Sequence, residues 1–565
     1  MSTTLFANGP VFDGRHYLLG VGGVLVRDGV IEAVLSADDP LPGPGEVDEI
    51  VDQAGGLLTP GFTDAHVHAV QGGLERIRCD LSQLYSRDDY LATVKAYADA
   101  HPDLPWIVGG GWAMACFPGG APLAADLDAV VPDRPVFLVN RDHHGAWANT
   151  RAFEVAGVTA ATPDPPDGYL ERDADGAPTG TLHEGAMALV ADHLPETTDE
   201  ELMAGLLEAQ AYLHSVGVTG WQDAIVGAYA GMTDPGPTYA AATRDGLLTA
   251  DVVGALWWDR DRGVEQIPDL VALRASYDSQ AGGQPGSARP GFRATSVKVM
   301  QDGVPENGTA SMSTPYLDRC HGHLTANSGH SFVDPAVLRE AAPLLTAEGF
   351  QIHIHAIGDG AVTESLDALE AAIEAYPGAD RRHHVAHLQF VRPEDQPRFG
   401  ASGVAVNMQT LWACHDDQMV DLVIPQVGTE RAAWQYPWAT MLAAGARLVA
   451  GSDWPVSTPD PWQALHVAVN RTDPGRGGDI NPDPLNPDPL NPEQAIPLEA
   501  ALTAYTSGSA WVNHRDDAGL IAPGMTADLV VHDRDPFATE PDGIADVTVV
   551  STWVGGVKVY DSTEK

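Results

Sequence analysis

Lys298 stands in the run ATSVKVMQDG (294–303), which alternates like a β-strand, so its ammonium is directed with apolar neighbours into an interior where charge is costly. It is one of only four lysines in 565 residues. Burial favours the neutral amine. A neutral amine can condense with carbon dioxide to a carbamate, an anion able to bridge two metal ions. A lysine paired with Asp302 or another carboxylate is the plain alternative. The carbamate reading calls for imidazoles and a carboxylate at other strand ends, and they are present. His66 and His68 close GFTDAHVH, where the period of two puts both on one face within reach of a single ion. His355 ends FQIHIHAIGD, His387 ends RHHVAHLQ and Asp453 ends LVAGSDWPV. Neutral imidazoles, a carboxylate and a carbamate suit a borderline ion, most simply zinc, in one or two sites per chain. His353 and His383 share strand parity with His355 and His387 but lie deeper, and are read as supporting or core residues. His384, His415 and His466 are read as ordinary surface or core histidines.

These side chains need a frame that gathers strand ends. GFTDAHVH, GVTGWQDA, ADVVGALWW, RATSVKVMQDG, FQIHIHAIGD, RHHVAHLQF, GVAVNMQ and ARLVAGSDWPV make eight strands, and from about residue 216 they alternate with helix-length segments. Eight parallel strands with intervening helices is the count of an α/β (β/α)8 TIM barrel, whose chemistry sits at the carboxyl ends of its strands. The segment AVTESLDALEAAIEAY carries Val362, Leu366, Leu369 and Ile373 at helical spacing. About 145 residues separate the first two barrel strands and contain WIVGGGW and PVFLVNR, so residues 70–215 are expected to form an inserted α/β subdomain. Valine-bearing short strands in 1–58 and 513–565 predict a small β-sandwich built from both chain ends, flanking a barrel domain over 59–512. The tandem repeat NPDPLNPDPLNPEQ (481–494) predicts an exposed loop.

Composition narrows the function classes. Against 31 basic residues stand 78 acidic ones, and the net charge of −47 repels nucleic acid and anionic membrane surfaces. Cys79, Cys116, Cys320 and Cys414 are far apart with no CxxC spacing, which fits reduced structural thiols. No apolar run is long enough to span a membrane, and MSTTLFANGPVFDG reads as the first strand of a folded domain, so a cytoplasmic location is expected.

GFTDAHVH, the HAIGD run, HLQ, GSDWPV and the closing APGMTADLVVHDRDP resemble the amidohydrolase superfamily, in particular the amidohydrolase family 3 branch that includes N-substituted formamide deformylase. Inside the insertion, GGGW (109–112), HGAWANTRAFEVAGV (144–158) and PTGTLHEGA (178–186) are similar to that branch's patterns. The resemblance implies a metal-bearing barrel whose ligands map to His66, His68, Lys298, His355, His387 and Asp453. Two positions depart from it: Gly360 and His183 stand where the branch commonly has arginine.

The expected reaction is hydrolysis of an amide-like carbon–nitrogen bond by metal-activated water. Asp453 is the candidate general base. His144, with Trp112 and Trp147, is expected to border the substrate and to donate to its carbonyl. A deaminase on the same barrel is the nearest rival, although no glutamate follows His355 or His387 at close spacing. A non-catalytic metal-binding regulatory protein is the rival from another class. The expected partner is a small-molecule amide-like substrate, with at most a second copy of the chain as a homodimer.

Overall fold

The computed structural model describes residues 2–229, 232–281, 291–318, 322–474 and 489–564. Cys320 and the repeat over 481–488 lie outside the described residues. The eight barrel strands are Phe62–Val67, Val218–Val226, Asp251–Trp257, Gly291–Met300, Gln351–Ala356, His384–His387, Ala405–Met408 and Leu448–Ala450. Each pairs in parallel with its neighbour in chain order. Most positions in them are buried, as expected where helices cover one face and the barrel interior the other.

The seam between the eighth strand and the first closes just past the strand ends. The Asp453 N–H donates to the His66 carbonyl at 2.8 Å, and the His68 N–H donates to the Trp454 carbonyl at 2.8 Å. Asp64 Oδ1 accepts from both the His66 N–H (3.0 Å) and the Ser452 N–H (3.1 Å). Gly451 permits this approach, because a Cβ there would lie 2.6 Å from the His66 backbone nitrogen. The bonds that complete the (β/α)8 barrel thus involve His66, His68 and Asp453, three of the residues read above as metal ligands.

Helices pack on the outside of the barrel. The helix Asp359–Ala375 buries Val362, Leu366 and Leu369 and leaves Ile373 half-buried, as its spacing predicts. Among the described residues no helix is long and apolar enough to cross a membrane.

Between the first two barrel strands, Gly168–Arg172, Pro178–Glu184, Gly145–Ala148, Val136–Asn140, Ile107–Trp112 and Cys79–Asp80 form, in that spatial order, a six-stranded mixed sheet. Its two faces carry separate apolar clusters, one around Tyr90, Trp112, Phe117, Leu138 and Trp147, the other around Phe137, Phe153, Leu182 and Val190. This corrects the expectation for Trp112 and Trp147. Both indoles are fully buried, pack edge-to-face on each other and on Phe117, and donate Nε1–H to the carbonyls of Leu138 (2.8 Å) and Leu123 (2.9 Å). They pack inside the insertion and do not line the cavity at the barrel mouth.

Strands from both chain ends make two further sheets. One holds Thr3–Ala7, Val21–Arg27, Val30–Ser36 and Glu49–Asp52; the other joins Val11–Phe12, Tyr17–Leu18 and Leu58–Pro60 to Leu529–His532, Val549–Val554 and Val557–Asp561. Phe6, Val24, Leu58, Leu529 and Trp553 fill the space between them, with Phe6 and Trp553 edge-to-face at 5.2 Å.

Candidate active site

At the carboxyl ends of the barrel strands lies a cavity of about 750 Å³, onto which His66, His68, Lys298, His355, His387 and Asp453 all open, with His144 contributed by the insertion. Trp112 and Trp147 are not among its lining residues. Its apolar wall is made instead by Trp257, Met300, Leu411, Trp412 and Tyr436. The Trp412 ring lies parallel to the His387 imidazole, at 5.4 Å and 4°. Nothing in the sequence singled Trp412 out.

Asp453 is the centre of the arrangement. Its Oδ1 lies 3.0 Å from His66 Nε2 and 3.1 Å from His68 Nε2, and its Oδ2 lies 3.9 Å from His387 Nδ1. His66, His387 and Asp453 each offer one ligand atom within 4.8 Å of the others. The His355 ring sits 4.3 Å from that of His387, with Nε2 3.6 Å from Asp302 Oδ1. Lys298 is in register with His353 on the neighbouring strand, and Met300 with His355.

Asp302 is engaged by backbone: its oxygens accept from the N–H groups of Ser311, Ile357 and Gly358 at 2.8–3.0 Å. The charges that reach Lys298 are those of Asp453 and Asp223, and burial outweighs both, pushing the amine down to about 8. The neutral form needed for carbamate chemistry is therefore accessible near neutral pH.

Burial is also the main reason that His66, His355 and His387 are neutral. It holds His66 at about 3 and His355 and His387 well below the usual histidine range, with Lys298 adding to the effect. Burial alone would raise Asp453; the surrounding His66, His68 and His387 outweigh it and hold the carboxyl well below the carboxylate range. Buried without a hydrogen-bond partner are His66 Nε2, His68 Nδ1, His355 Nε2 and both ring nitrogens of His387. Each such atom costs about 1–3 kcal/mol when left unsatisfied. Two of them, His66 Nε2 and His387 Nδ1, face the Asp453 carboxylate, and this donor set of nitrogen and oxygen fits a divalent metal ion.

His387 reaches the cavity by a route that strand parity does not give. On its strand, His384 is in register with His353 and bonds across the barrel interior, whereas His383 points outward to Thr346 Oγ1 of the helix Pro335–Ala347 at 3.2 Å. His387 shares the parity of His383, yet φ of 76° at His387 and 50° at Leu388 swings its ring inward. Asp453 (φ 57°), His143 (φ 63°) and Glu184 (φ 50°) are in the same sparsely populated region. Such strain gathers where the surrounding structure must aim a side chain.

On the insertion side, His144 Nδ1 lies 2.9 and 3.0 Å from the two oxygens of Glu184, and its ring is 5.8 Å from that of His355. Glu184 Oε1 also accepts from the Thr309 hydroxyl at 2.7 Å, and Asn307 Nδ2 donates to the His144 carbonyl at 3.0 Å. Burial disfavours both charges, but the pairing prevails: Glu184 raises His144 above the usual histidine value, and His144 lowers Glu184. Sequence reasoning named His144 and missed Glu184, whose one signal was its place in PTGTLHEGA. Replacing Glu184 by glutamine removes the strongest influence that raises His144, so His144 deprotonates at lower pH. The alkaline limb of the pH profile of kcat/KM should then move to lower pH. An unmoved limb would remove His144 from proton delivery.

The two departures noted in the sequence have local accounts. Gly360 N–H donates to the Ser311 carbonyl at 2.9 Å, and a Cβ at Gly360 would lie 2.9 Å from that same oxygen. His183 is buried in the insertion, stacked on Tyr169 at 4.5 Å with Nε2 3.2 Å from Glu171 Oε1.

Comparison with known proteins gives the family and the fold. The pattern of the amidohydrolase family matches residues 49–560. The chain is 29% identical to Protein LONG AFTER FAR-RED 3 of Arabidopsis thaliana, over 98% of this chain and 91% of that protein. It is 25% identical to N-substituted formamide deformylase of Arthrobacter pascens, over 96% of this chain and 95% of the relative. Its fold is similar to the crystal structure of an uncharacterized metal-dependent hydrolase from Pyrococcus horikoshii, with a TM-score of 0.69, 23% identity and coverage of 96% of this chain and 99% of the other.

Proposed function

The chain belongs to the amidohydrolase family, and from that premise we propose that it is a metal-dependent hydrolase cleaving a non-peptide carbon–nitrogen bond in a small amide. The observation that carries this reading is the pair of buried, unpartnered nitrogens His66 Nε2 and His387 Nδ1 beside Asp453, with His355 and Lys298 opening on the same cavity. The cavity of about 750 Å³ suits a small-molecule substrate. The likeness to N-substituted formamide deformylase supports an N-substituted formamide or a related amide as substrate class.

In this reading His66, His68, His355, His387, Asp453 and a carboxylated Lys298 hold one or two zinc ions. Such an ion, when bound, acidifies water toward neutrality and polarises a carbonyl. Asp453 takes the proton of the attacking water and returns it to the leaving amine. His144, whose protonated form Glu184 favours, donates to the substrate carbonyl from the insertion side and steadies the oxyanion. The apolar wall of Trp412, Leu411 and Tyr436 excludes bulk water from the reacting bond. We also place the protein in the cytoplasm, in keeping with Cys79, Cys116 and Cys414, none of which is in a disulfide.

The test pairs metal content with turnover. Zinc-reconstituted protein should hydrolyse at least one member of a panel of N-formyl, N-acyl and cyclic amides. The double variant His66→Ala, His68→Ala should lose both metal and turnover while keeping the far-ultraviolet spectrum of the native fold. Full metal content in that variant would sink the ligand assignment. Zinc-loaded wild type inert toward the whole panel would point to the non-catalytic reading.

A further inference from the structure

Below the cavity floor, amide and imidazole side chains from the second, fifth, sixth and seventh barrel strands form one connected hydrogen-bond network. Its polarity can be read from backbone groups, which have fixed donor or acceptor roles. Gln351 Nε2 donates to the carbonyls of Arg382 (2.9 Å) and Val512 (2.6 Å), so its Oε1 is the acceptor facing Gln222 at 2.9 Å. Gln222 Nε2 donates to that oxygen and to Asn513 Oδ1 at 2.9 Å, which leaves Gln222 Oε1 facing two imidazoles. These are His353 Nδ1 at 2.6 Å and His384 Nε2 at 3.1 Å, and both must carry hydrogen.

A second anchor gives the same polarity from the opposite end. The His387 N–H donates to Gln409 Oε1 at 2.6 Å, and Gln409 Nε2 donates to Asn407 Oδ1 at 3.0 Å. Asn407 Nδ2 then donates to the Ala65 carbonyl (2.9 Å) and to His384 Nδ1 (3.1 Å). His384 therefore accepts at Nδ1 and carries its hydrogen at Nε2, facing Gln222 Oε1 as the first chain requires.

One consequence follows at the metal side. With hydrogen on His353 Nδ1, its Nε2 is a lone pair, and among the described residues its hydrogen-bond partner is His66 Nδ1 at 2.7 Å, which must donate. His66 Nε2 is then the free lone pair facing the cavity, in agreement with its lack of a hydrogen-bond partner despite lying 3.0 Å from Asp453 Oδ1. The opposite polarity would put hydrogen on His66 Nε2 and block that lone pair. All of His66, Gln222, His353, His384 and Asn407 are fully buried, so water does not compete for these bonds.

We propose that His353, oriented by Gln222, is a positioning residue that locks His66 in its Nδ1–H tautomer and so presents Nε2 as a ready-made metal ligand. The role of the lock rests on the reading of His66 as a ligand; its geometry does not. Partners that orient a ligating histidine typically contribute roughly 10–100-fold to metal affinity. Here that partner is another imidazole, itself held through amides anchored to four barrel strands.

Two measurements test it. Neutron diffraction from metal-free wild-type crystals should show deuterium on His66 Nδ1, His353 Nδ1 and His384 Nε2. Deuterium on His66 Nε2 would overturn the lock whatever the variants do. Chelator competition should show the zinc dissociation constant of His353→Phe raised roughly 10–100-fold. His353→Gln, whose Oε1 can still accept from His66 Nδ1, should stay within about threefold of wild type, well short of that loss. Equal weakening by both variants, or none by phenylalanine, would also overturn it. Wild type that shows the expected deuterium pattern yet binds no zinc would sink the metal reading alone.

Discussion

Replacing Asp453 with asparagine should lower kcat/KM by roughly 10²–10⁴-fold, the usual contribution of a positioned general base. Asparagine keeps the shape of the side chain, and its amide oxygen can still face His66 and His68 at about the 3.0 and 3.1 Å of the native contacts. What it loses is the ability to take a proton. The native carboxyl lies well below the usual carboxylate range, so it is unprotonated and able to take a proton across the neutral range. Metal content decides between its two roles. Zinc retained with activity lost identifies Asp453 as the base, zinc and activity lost together make it chiefly a ligand, and activity within about tenfold of wild type would place the base elsewhere.

Lys298→Ala should be nearly inactive, by at least about 10²-fold, and acetate or propionate should restore part of the activity. The amine is buried, it is depressed to about 8, and it opens on the same cavity as His66, His68, His355 and His387. Its nitrogen can form a bond to the carbon of carbon dioxide, releasing one proton and leaving a carbamate whose two oxygens supply the negative charge that neutral imidazoles lack. A short carboxylate can occupy the vacated space and supply the same two oxygens. Lys298→Arg should not be rescued, because guanidinium stays charged and fills the space. A map showing a free amine in fully active enzyme would end the carbamate model and leave a mononuclear site of histidines and Asp453.

The sequence by itself determined the barrel strands and where several titratable side chains stand on them. Buried parallel strands read as short apolar runs between helical segments, so all eight were legible, as was the placement of His66, Lys298 and His355 at or near strand ends. Local periodicity encodes which element a residue is in and, within a regular strand, which face it takes. It stops where regularity stops. His387 has the parity of His383 and faces the opposite way, because a positive φ ends its strand; His384, read as ordinary, lies on the interior face and joins the network under His66. Trp112 and Trp147 have the size of pocket walls, but a sheet with apolar clusters on both faces has room inside for large rings, and only packing shows which face meets the cavity. Glu184 meets His144 because antiparallel pairing in the insertion sets Gly145 opposite His183, a register that neither segment specifies alone. The closing of the barrel decided the rest: bringing the eighth strand against the first puts Asp453 between His66 and His68, and that contact exists only once every intervening strand has taken its place.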